Sequence, residues 1–580
     1  MWVYADREIN LCIADEAERI AADWRIASVL QPGLSRHALC VRMLIRAGMI
    51  WQARADADFI ATGSDSWPRQ DAPDRALARA CADLVRESVM SLLQQPIGFA
   101  PHDALRALMR DERILLTRIP EGFAFYDLYP EFMIAPARNL PMGDNTYVIG
   151  LRSIGTALAA MVASVVRTSN CASVRPIGDP FDRALSVNTD WIAKIRDADC
   201  VAITDEGPGL SGSSFAAAGR AVMHATGRDN LVFLPTHGGD PGIAATVADR
   251  TAWQSASRHV MDRSLFDKGP FARANWFADV IGPALRVTDL SGGQWRAALG
   301  LDEAFWPACD PMQERVKLKV ETANGAYLLK FSGLTPLTEH AFEHAQEFSS
   351  RGFGLRPLAE RHGMMLWQWC DGAKPLLRDH KSHVLPMIAD MLSFRAMHWT
   401  SAMSGASVQD LFDMARDNLN EALGYDKAAV LNEWEPYLDA IAAASTPVRI
   451  DGRLDCHEFL LLPDDHIVKT DALDHHAAHD LIGCQDIFWD VAGAMIEWTL
   501  SRDDVQRICE RIDKVTGFRR PREALAFYVI AYTAFRLGAA TMSAEALAEV
   551  NPAEARRFQR RVQFYRDAAF TLLQSSLIGA

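Results

Sequence analysis

The sequence predicts an α/β half built on a parallel sheet, preceded by a mainly helical extension and followed by an α+β half. Three observations predict it. Residues 11–110 show helical periodicity and are rich in Ala, Arg and Leu. From about 120 to 240, strand-like apolar segments alternate with Ala-rich helical ones. After about 285 a small run of strands gives way to a long helical tail.

The extension is typified by "DRALARACADLVRESVMSLLQQP", and Pro96 and Pro101 break its pattern. The strands of the α/β half are "TYVIGL", "CVAITD" and "LVFLPT". Between them lie the helices "GTALAAMVASVV" and "SFAAAGRAVMHAT". In the second half, "ERVKLKVETANGAYLLKF" reads as two strands joined by an Ala-Asn-Gly turn. A helix, two more strands and a helical region from about 380 follow. The expected segments are therefore 1–118, 119–285 and 286–580, with no internal repeat and no low-complexity linker.

At 580 residues the chain exceeds one core, and length alone suggests about 3–4 domains. A hydrophobic fraction of 49% and a charged fraction of 23% are ordinary for globular protein. The net charge of -14 argues against nucleic acid as the main partner. The 10 Cys are scattered and form no CxxC pair, which reads as reduced cysteine. The N-terminus has early charges and no apolar core of a signal peptide. The longest apolar run, "YVIGLRSIGTALAAMVASVV", contains Arg152 and two Gly, so no membrane span is read there. A cytoplasmic protein with small-molecule partners and no membrane partner is the expectation.

In "VAITDEGPGLSGSSF" a strand ends in Asp205 and Glu206 and passes into a small-residue loop and a helix. Ligands of parallel α/β sheets bind at the carboxyl ends of strands. Gly209 and Gly212 let backbone amides turn toward one point, Ser211, Ser213 and Ser214 offer hydroxyls, and the helix N-terminus adds positive potential. The acid pair can accept hydrogen bonds from two adjacent hydroxyls. A phosphate cradle beside a diol clamp fits a ribose 5-phosphate.

The stretch resembles the PRPP-binding motif of type I phosphoribosyltransferases. "YVIGLRSIGTALA" resembles that family's pyrophosphate loop, in which Gly150 and Gly155 permit close approach and Arg152 and Ser153 contact the diphosphate. "SVRPIGDPFDRAL" falls where the family has a lid, with Arg175 and Arg183 as cationic candidates. "LPTHGGDPG" offers Thr236, His237 and Asp240. The resemblance implies PRPP as co-substrate, Mg²⁺ on the diphosphate, Asp205 and Glu206 near the developing positive charge, and a homodimer as a common arrangement. The residues 1–118 would supply the acceptor hood.

In the second half, Lys330 lies in the apolar strand "GAYLLKF", and a buried lysine needs a partner. Glu339, Glu343 and Glu347 share one face of the next helix. Glu343 is the first choice for the partner and Glu347 the second. "GMMLWQWCDGAKPL" reads as a hinge strand where the backbone of Gln368 to Cys370 would meet adenine. The segment "DGRLDCHEFLLLPDDHIVKTDALDHHAAHDLIGCQDIFWDVAGA" resembles the catalytic and metal-binding region of the aminoglycoside phosphotransferase and choline kinase group. That resemblance implies a two-lobed kinase-like fold, ATP and Mg²⁺, with Glu458 and Asp471 as metal ligands and Asp490 as a structural acid. Arg453 stands where the group has its catalytic Asp, leaving Asp451 and Asp455 as candidate bases. The Gly-rich nucleotide loop is missing as a motif, and "SGGQW" is a weak substitute. Asp474, His475, His476, His479 and Asp480 offer an alternative transition-metal cluster. The expected function is phosphoribosyl transfer, or its reverse, coupled to small-molecule phosphorylation. The alternative is a PRPP- and nucleotide-sensing regulator with a pseudokinase C-terminal half.

Overall fold

A computed structural model describes residues 1–574 except 70, 91–101, 180, 210, 228–229, 243, 268–270 and 404. Pro96, Pro101 and the break expected there lie outside the described residues. Near the N-terminus, strand β1 (Glu8–Cys12) pairs antiparallel with β2 (Ile114–Arg118), so the extension begins and ends at the same place. Between them run helices α1 (Ile13–Val29), α2 (Leu34–Thr62) and α3 (Pro73–Met90). Ile13, Ala17, Ile20 and Ala27 form the buried stripe of α1, the spacing of a one-faced helix. Gly63 ends α2 with φ 74°, a backbone state that glycine takes without a Cβ penalty. The short helix α4 (Glu121–Phe125) follows β2 directly.

The next sheet contains β3 (Thr146–Leu151), β4 (Cys171–Val174), β7 (Cys200–Asp205), β8 (Leu231–Pro235) and β9 (Ser257–Arg258). Its order is β4-β3-β7-β8-β9 and every pairing is parallel. A hairpin of β5 (Pro176–Asp179) and β6 (Asp182–Leu185) rises between β4 and β7. Helices α5 (Ile154–Val166), α6 (Thr189–Ile195) and α7 (Ser213–Thr226) complete the crossovers. Every residue of α5 is buried, because it packs under α2 and α3 as well as on the sheet. Strands covered on both faces read as continuous apolar runs, which is why β3, β7 and β8 were visible in sequence. From β3 the chain turns to β4 on one side and later returns to β7 on the other. The carboxyl ends of β3 and β7 therefore flank a topological switch point, where such sheets bind ligands.

The C-terminal half folds as two lobes. Its first lobe is an antiparallel sheet of β10 (Ala284–Asp289), β11 (Lys317–Thr322), β12 (Gly325–Phe331), β13 (Pro357–Arg361) and β14 (Met364–Gln368) in the order β10-β11-β12-β14-β13, with helix α8 (Ala341–Ser350) beside it. The second lobe holds a small sheet of β15 (Lys374–Pro375), β16 (Phe459–Leu461) and β17 (Ile467–Lys469). Its helices are α9 (Lys381–His398), α10 (Val408–Leu423), α11 (Phe488–Glu497), α12 (Arg502–Thr516), α13 (Arg522–Leu547) and α14 (Pro552–Gln574). Residues 523–547 of α13 are long and apolar enough to cross a membrane by length and composition, but 72% of the most apolar stretch is buried in the lobe.

One hydrophobic cluster runs from Leu11 in the extension through α2, α5 and the parallel sheet to Phe331 and Leu366 in the antiparallel sheet. The first lobe of the C-terminal half thus shares its core with the N-terminal segments. A second cluster fills the helical lobe and takes in Val3 from the chain start.

Candidate active sites

The first site lies at the switch point. Gly150 pairs with Thr204 across β3 and β7, so the two loops that follow these strands are neighbours. A Cβ on Gly155 would stand 2.5 Å from the Thr204 carbonyl oxygen, and one on Gly150 would stand 2.1 Å from the Gly155 oxygen. Only glycine fits where backbone meets backbone so closely. The Ser153 backbone leads straight into α5. In the second loop, Gly209 and Gly212 have φ 59° and 69°, and the Gly212 N–H donates to the Pro208 oxygen at 2.6 Å. Ser211 and Ser213 are buried with their hydroxyls 2.9 Å apart. Ser214, in the first turn of α7, is half-buried.

Asp205 and Glu206 are half-exposed at the end of β7. Neither makes an ion pair among the described residues. Burial pushes the Asp205 carboxyl well above its ordinary range. Burial also pushes Glu206 up to about 7, against the opposing charge of Arg263 and a hydrogen bond from the Gly122 N–H. A carboxylate held at such a cost in solvation is a candidate functional group. His237 is exposed and its imidazole lies over Gly207, where a Cβ would stand 2.4 Å from Nε2. Thr236 donates its N–H to the Glu206 carbonyl oxygen at 2.7 Å, tying this third loop to the acid pair. Asp240 is exposed.

The arginines sit differently from expectation. Arg152 turns away from the cleft: its guanidinium is buried against Asp56 at 3.1 Å and against Asp65. These acids belong to α2 and the turn after it, so the side chain anchors the helical extension. Arg175 is drawn to the same acids, with Nε 3.0 Å from Asp56, although its charge still reaches Asp205. Arg183, on the β5–β6 hairpin, bonds the Gly178 carbonyl at 3.0 Å.

The second site is a cavity of about 340 Å³ between the C-terminal lobes, lined among others by Tyr126, Lys330, Trp369, Arg453, Asp471 and His475. Lys330 does not meet Glu343 or Glu347. Its ammonium pairs with Asp471 and lies 3.7 Å from Asp474. Glu343 is 66% exposed, Glu347 accepts from Trp399 Nε1 at 2.8 Å, and Glu339 takes Arg46 of α2 at 2.8 Å. Glu339 lies ahead of α8, and none of the three acids meets the strand lysine. Gln368 ends β14 exposed and Cys370 is half-buried where the chain passes into the second lobe.

Neither candidate base is free. Asp451 is fully buried between Arg395 at 3.2 Å and Lys469 at 3.3 Å. Asp490 accepts the N–H groups of Asp451 and Gly452 at 2.7 and 2.8 Å, the structural role expected of it. Asp455 is held by Arg536 at 2.9 Å and Arg561 at 2.7 Å. Buried Arg536 and Arg561 keep its carboxyl well below the usual range. Arg453 lines the cavity, half-exposed, with Asp480 no nearer than 3.9 Å.

Glu458 and Asp471 do come together, and His475 joins them: their ligand atoms all lie within 4.8 Å of one another. Sequence reading had placed His475 only in the alternative cluster. That cluster disperses, with Asp474 on Arg315 at 2.9 Å and His479 on Glu121 at 3.0 Å. Two carboxylates suit Mg²⁺, and the imidazole suits a softer divalent ion. A second grouping, His37, Glu131 and His362, is fully buried. Both imidazoles already bond Glu131 Oε1, at 3.0 and 2.9 Å, so it reads as a hydrogen-bonded knot.

The "SGGQW" turn lies between β10 and β11, and Trp295 lines the cavity. The turn opens a folded insertion, residues 290–316. Arg296 of this insertion pairs with Glu554 of α14 at 2.6 Å, Asp310 accepts from Ser543 at 2.9 Å, and Trp295 stacks on His457 at 5.6 Å. The insertion bridges the lobes over the cavity.

No family model matches the chain, and no curated protein matches it. Solved structures of similar shape include a choline kinase from Streptococcus pneumoniae, 16% identical over 43% of this chain and 89% of that one, TM-score 0.31. A choline/ethanolamine kinase family protein from Mesorhizobium loti is 17% identical over 45% and 86%, TM-score 0.32. A spectinomycin phosphotransferase, solved with ADP and spectinomycin, is 9% identical over 52% and 97%, TM-score 0.32.

Proposed function

We propose that the N-terminal cleft binds PRPP and transfers its phosphoribosyl group, or runs the reverse reaction, and that the C-terminal cavity binds a magnesium nucleotide and phosphorylates a small molecule. The observation that carries the first part is the convergence of the β3 and β7 loops on two carboxylates that make no ion pair among the described residues. The backbone at 211–214 and its serines would hold the 5-phosphate, Asp205 and Glu206 the two ribose hydroxyls, and the 152–155 backbone the diphosphate. As the C1–oxygen bond breaks, pyrophosphate leaves and the acceptor takes its place at C1. Charge builds on the sugar ring, where the two acids stabilise it electrostatically. No protein nucleophile is required.

In the cavity, Glu458 and Asp471 would hold the cation, which neutralises phosphate charge when bound. Phosphoryl transfer relies mainly on positioning and electrostatics, so Arg453 in place of an acid weakens proton abstraction more than it weakens binding. The sealed Asp451 and the clamped Asp455 favour a second reading, a nucleotide-sensing pseudokinase half that governs the first. The experiment supplies PRPP, ATP and Mg²⁺ with a panel of acceptors and follows pyrophosphate and ADP. Release of both supports the bifunctional enzyme. Release of pyrophosphate alone supports a transferase governed by a pseudokinase half, and binding of both ligands with release of neither product supports a regulator. Release of neither, with no PRPP binding, removes the reading.

A further inference from the structure

The cleft and the cavity lie back to back across α4 and the tyrosine after it. On the cleft side the Gly122 N–H donates to Glu206. A Cβ on Gly122 would stand 3.1 Å from Glu206 Oε2 and 2.5 Å from the side chains of Ile154 and Leu128. On the cavity side Phe125 and Tyr126 form part of the lining, and Arg315, another lining residue, donates to the Ala124 carbonyl at 3.2 Å. This one segment contributes to both sites.

His479, from the helical lobe, reaches across to it. Its Nε2 lies 3.0 Å from Glu121 Oε2 and its Nδ1 lies 3.0 Å from the Tyr126 hydroxyl. A neutral imidazole offers one donor and one acceptor. Tyr126 O–H to Nδ1 and Nε2–H to Glu121 uses both. Glu121 in turn lies close enough to Glu206 for their charges to oppose each other. The backbone around His479 is pinned by the N-terminal strap, through Arg7 Nε to the Ala478 oxygen at 3.0 Å and Leu481 N–H to the Val3 oxygen at 2.8 Å. Four residues upstream, the same loop supplies His475 to the cation cluster.

We infer that His479 is a positioning residue for the N-terminal cleft, fixing Glu121 beside Glu206, and that through it occupancy of the C-terminal cavity alters binding in the cleft. The inference rests on the proposed PRPP reading. Linkage requires the coupling to be reciprocal: whatever factor ADP with Mg²⁺ applies to PRPP affinity, PRPP must apply to ADP affinity.

The test measures PRPP affinity of the full chain by calorimetry with and without saturating ADP and Mg²⁺, and ADP affinity with and without PRPP. In the parent the two factors should agree and reach about 5-fold or more. In His479→Ala both ligands should still bind while the factor falls to about 1, the definition of uncoupled sites. In His479→Gln, whose amide can bridge the same two groups, part of the factor should return. A merely structural histidine would lower thermal stability and leave the factor unchanged. Equal factors in parent and His479→Ala, or a parent factor of 1, would overturn the inference while leaving the cleft reading standing. Failure of the parent to bind PRPP would instead bring down the cleft reading and the inference with it.

Discussion

Glu206 is the residue on which the N-terminal chemistry turns. Its carboxyl is pushed up to about 7 by burial, against an ordinary value near 4.3. An ionised carboxylate accepts two hydroxyl bonds and a protonated one gives up part of that capacity. PRPP affinity should therefore climb as pH rises through about 7, and Glu206→Gln should flatten that profile in calorimetric titrations. The sign for stability is opposite. A raised carboxyl stabilises the fold most below its unfolded value and loses that contribution as pH rises through about 7. Glu206→Gln should accordingly melt higher than the parent at pH ~8 while binding worse, a trade expected of a functional site. The acid pair was legible because it ends an apolar strand and opens a small-residue loop. Arg152 was not, since Asp56 and Asp65, which claim it, lie far away in sequence on another element.

At the scale of elements, Gly150 near the end of β3 and Gly155 just after it decide whether the loops can meet. Gly155→Ala would push a methyl against the Thr204 carbonyl at 2.5 Å. A backbone neighbour cannot yield as a side chain can, so a cost of about 1–3 kcal/mol is expected. Thermal unfolding should show the loss, and PRPP binding should fall with it. Strands β3, β7 and β8 were readable because burial on both faces makes them apolar throughout. The partner of Lys330 was not, because helical spacing names a face of α8 without saying what that face meets. Strand β12 instead aims the lysine across the cavity at Asp471. The insertion 290–316 left only "SGGQW" as a local sign, and its ties to Glu554 and Ser543 are contacts over long sequence separation.

Across the whole molecule, Glu131 knots three regions: His37 from α2, its own 3₁₀ turn, and His362 from the β13–β14 turn. All three side chains are fully buried. The imidazoles hold the Glu131 carboxyl down to about 2 against its burial, so its contribution is present above the ordinary carboxylate value and lost as pH falls toward 2. Burial also holds His362 below its ordinary value, which costs stability in the same acidic direction. Glu131→Gln should lower stability at neutral pH by about 1–3 kcal/mol and flatten the acid limb of the melting curve. Sequence patterning suggested three segments. It held no sign that the first C-terminal lobe shares a hydrophobic cluster with the extension and the parallel sheet, since that packing depends on faces brought together only in the folded chain. A calorimetric titration of the full chain with PRPP and Mg²⁺ tests the acid pair and loops at the switch point. The parent should bind in one-to-one ratio, and Asp205→Asn with Glu206→Gln should weaken binding by about 10-fold or more, the loss of a charge-assisted hydrogen bond. Heat and affinity identical in the parent and the double variant would contradict the account.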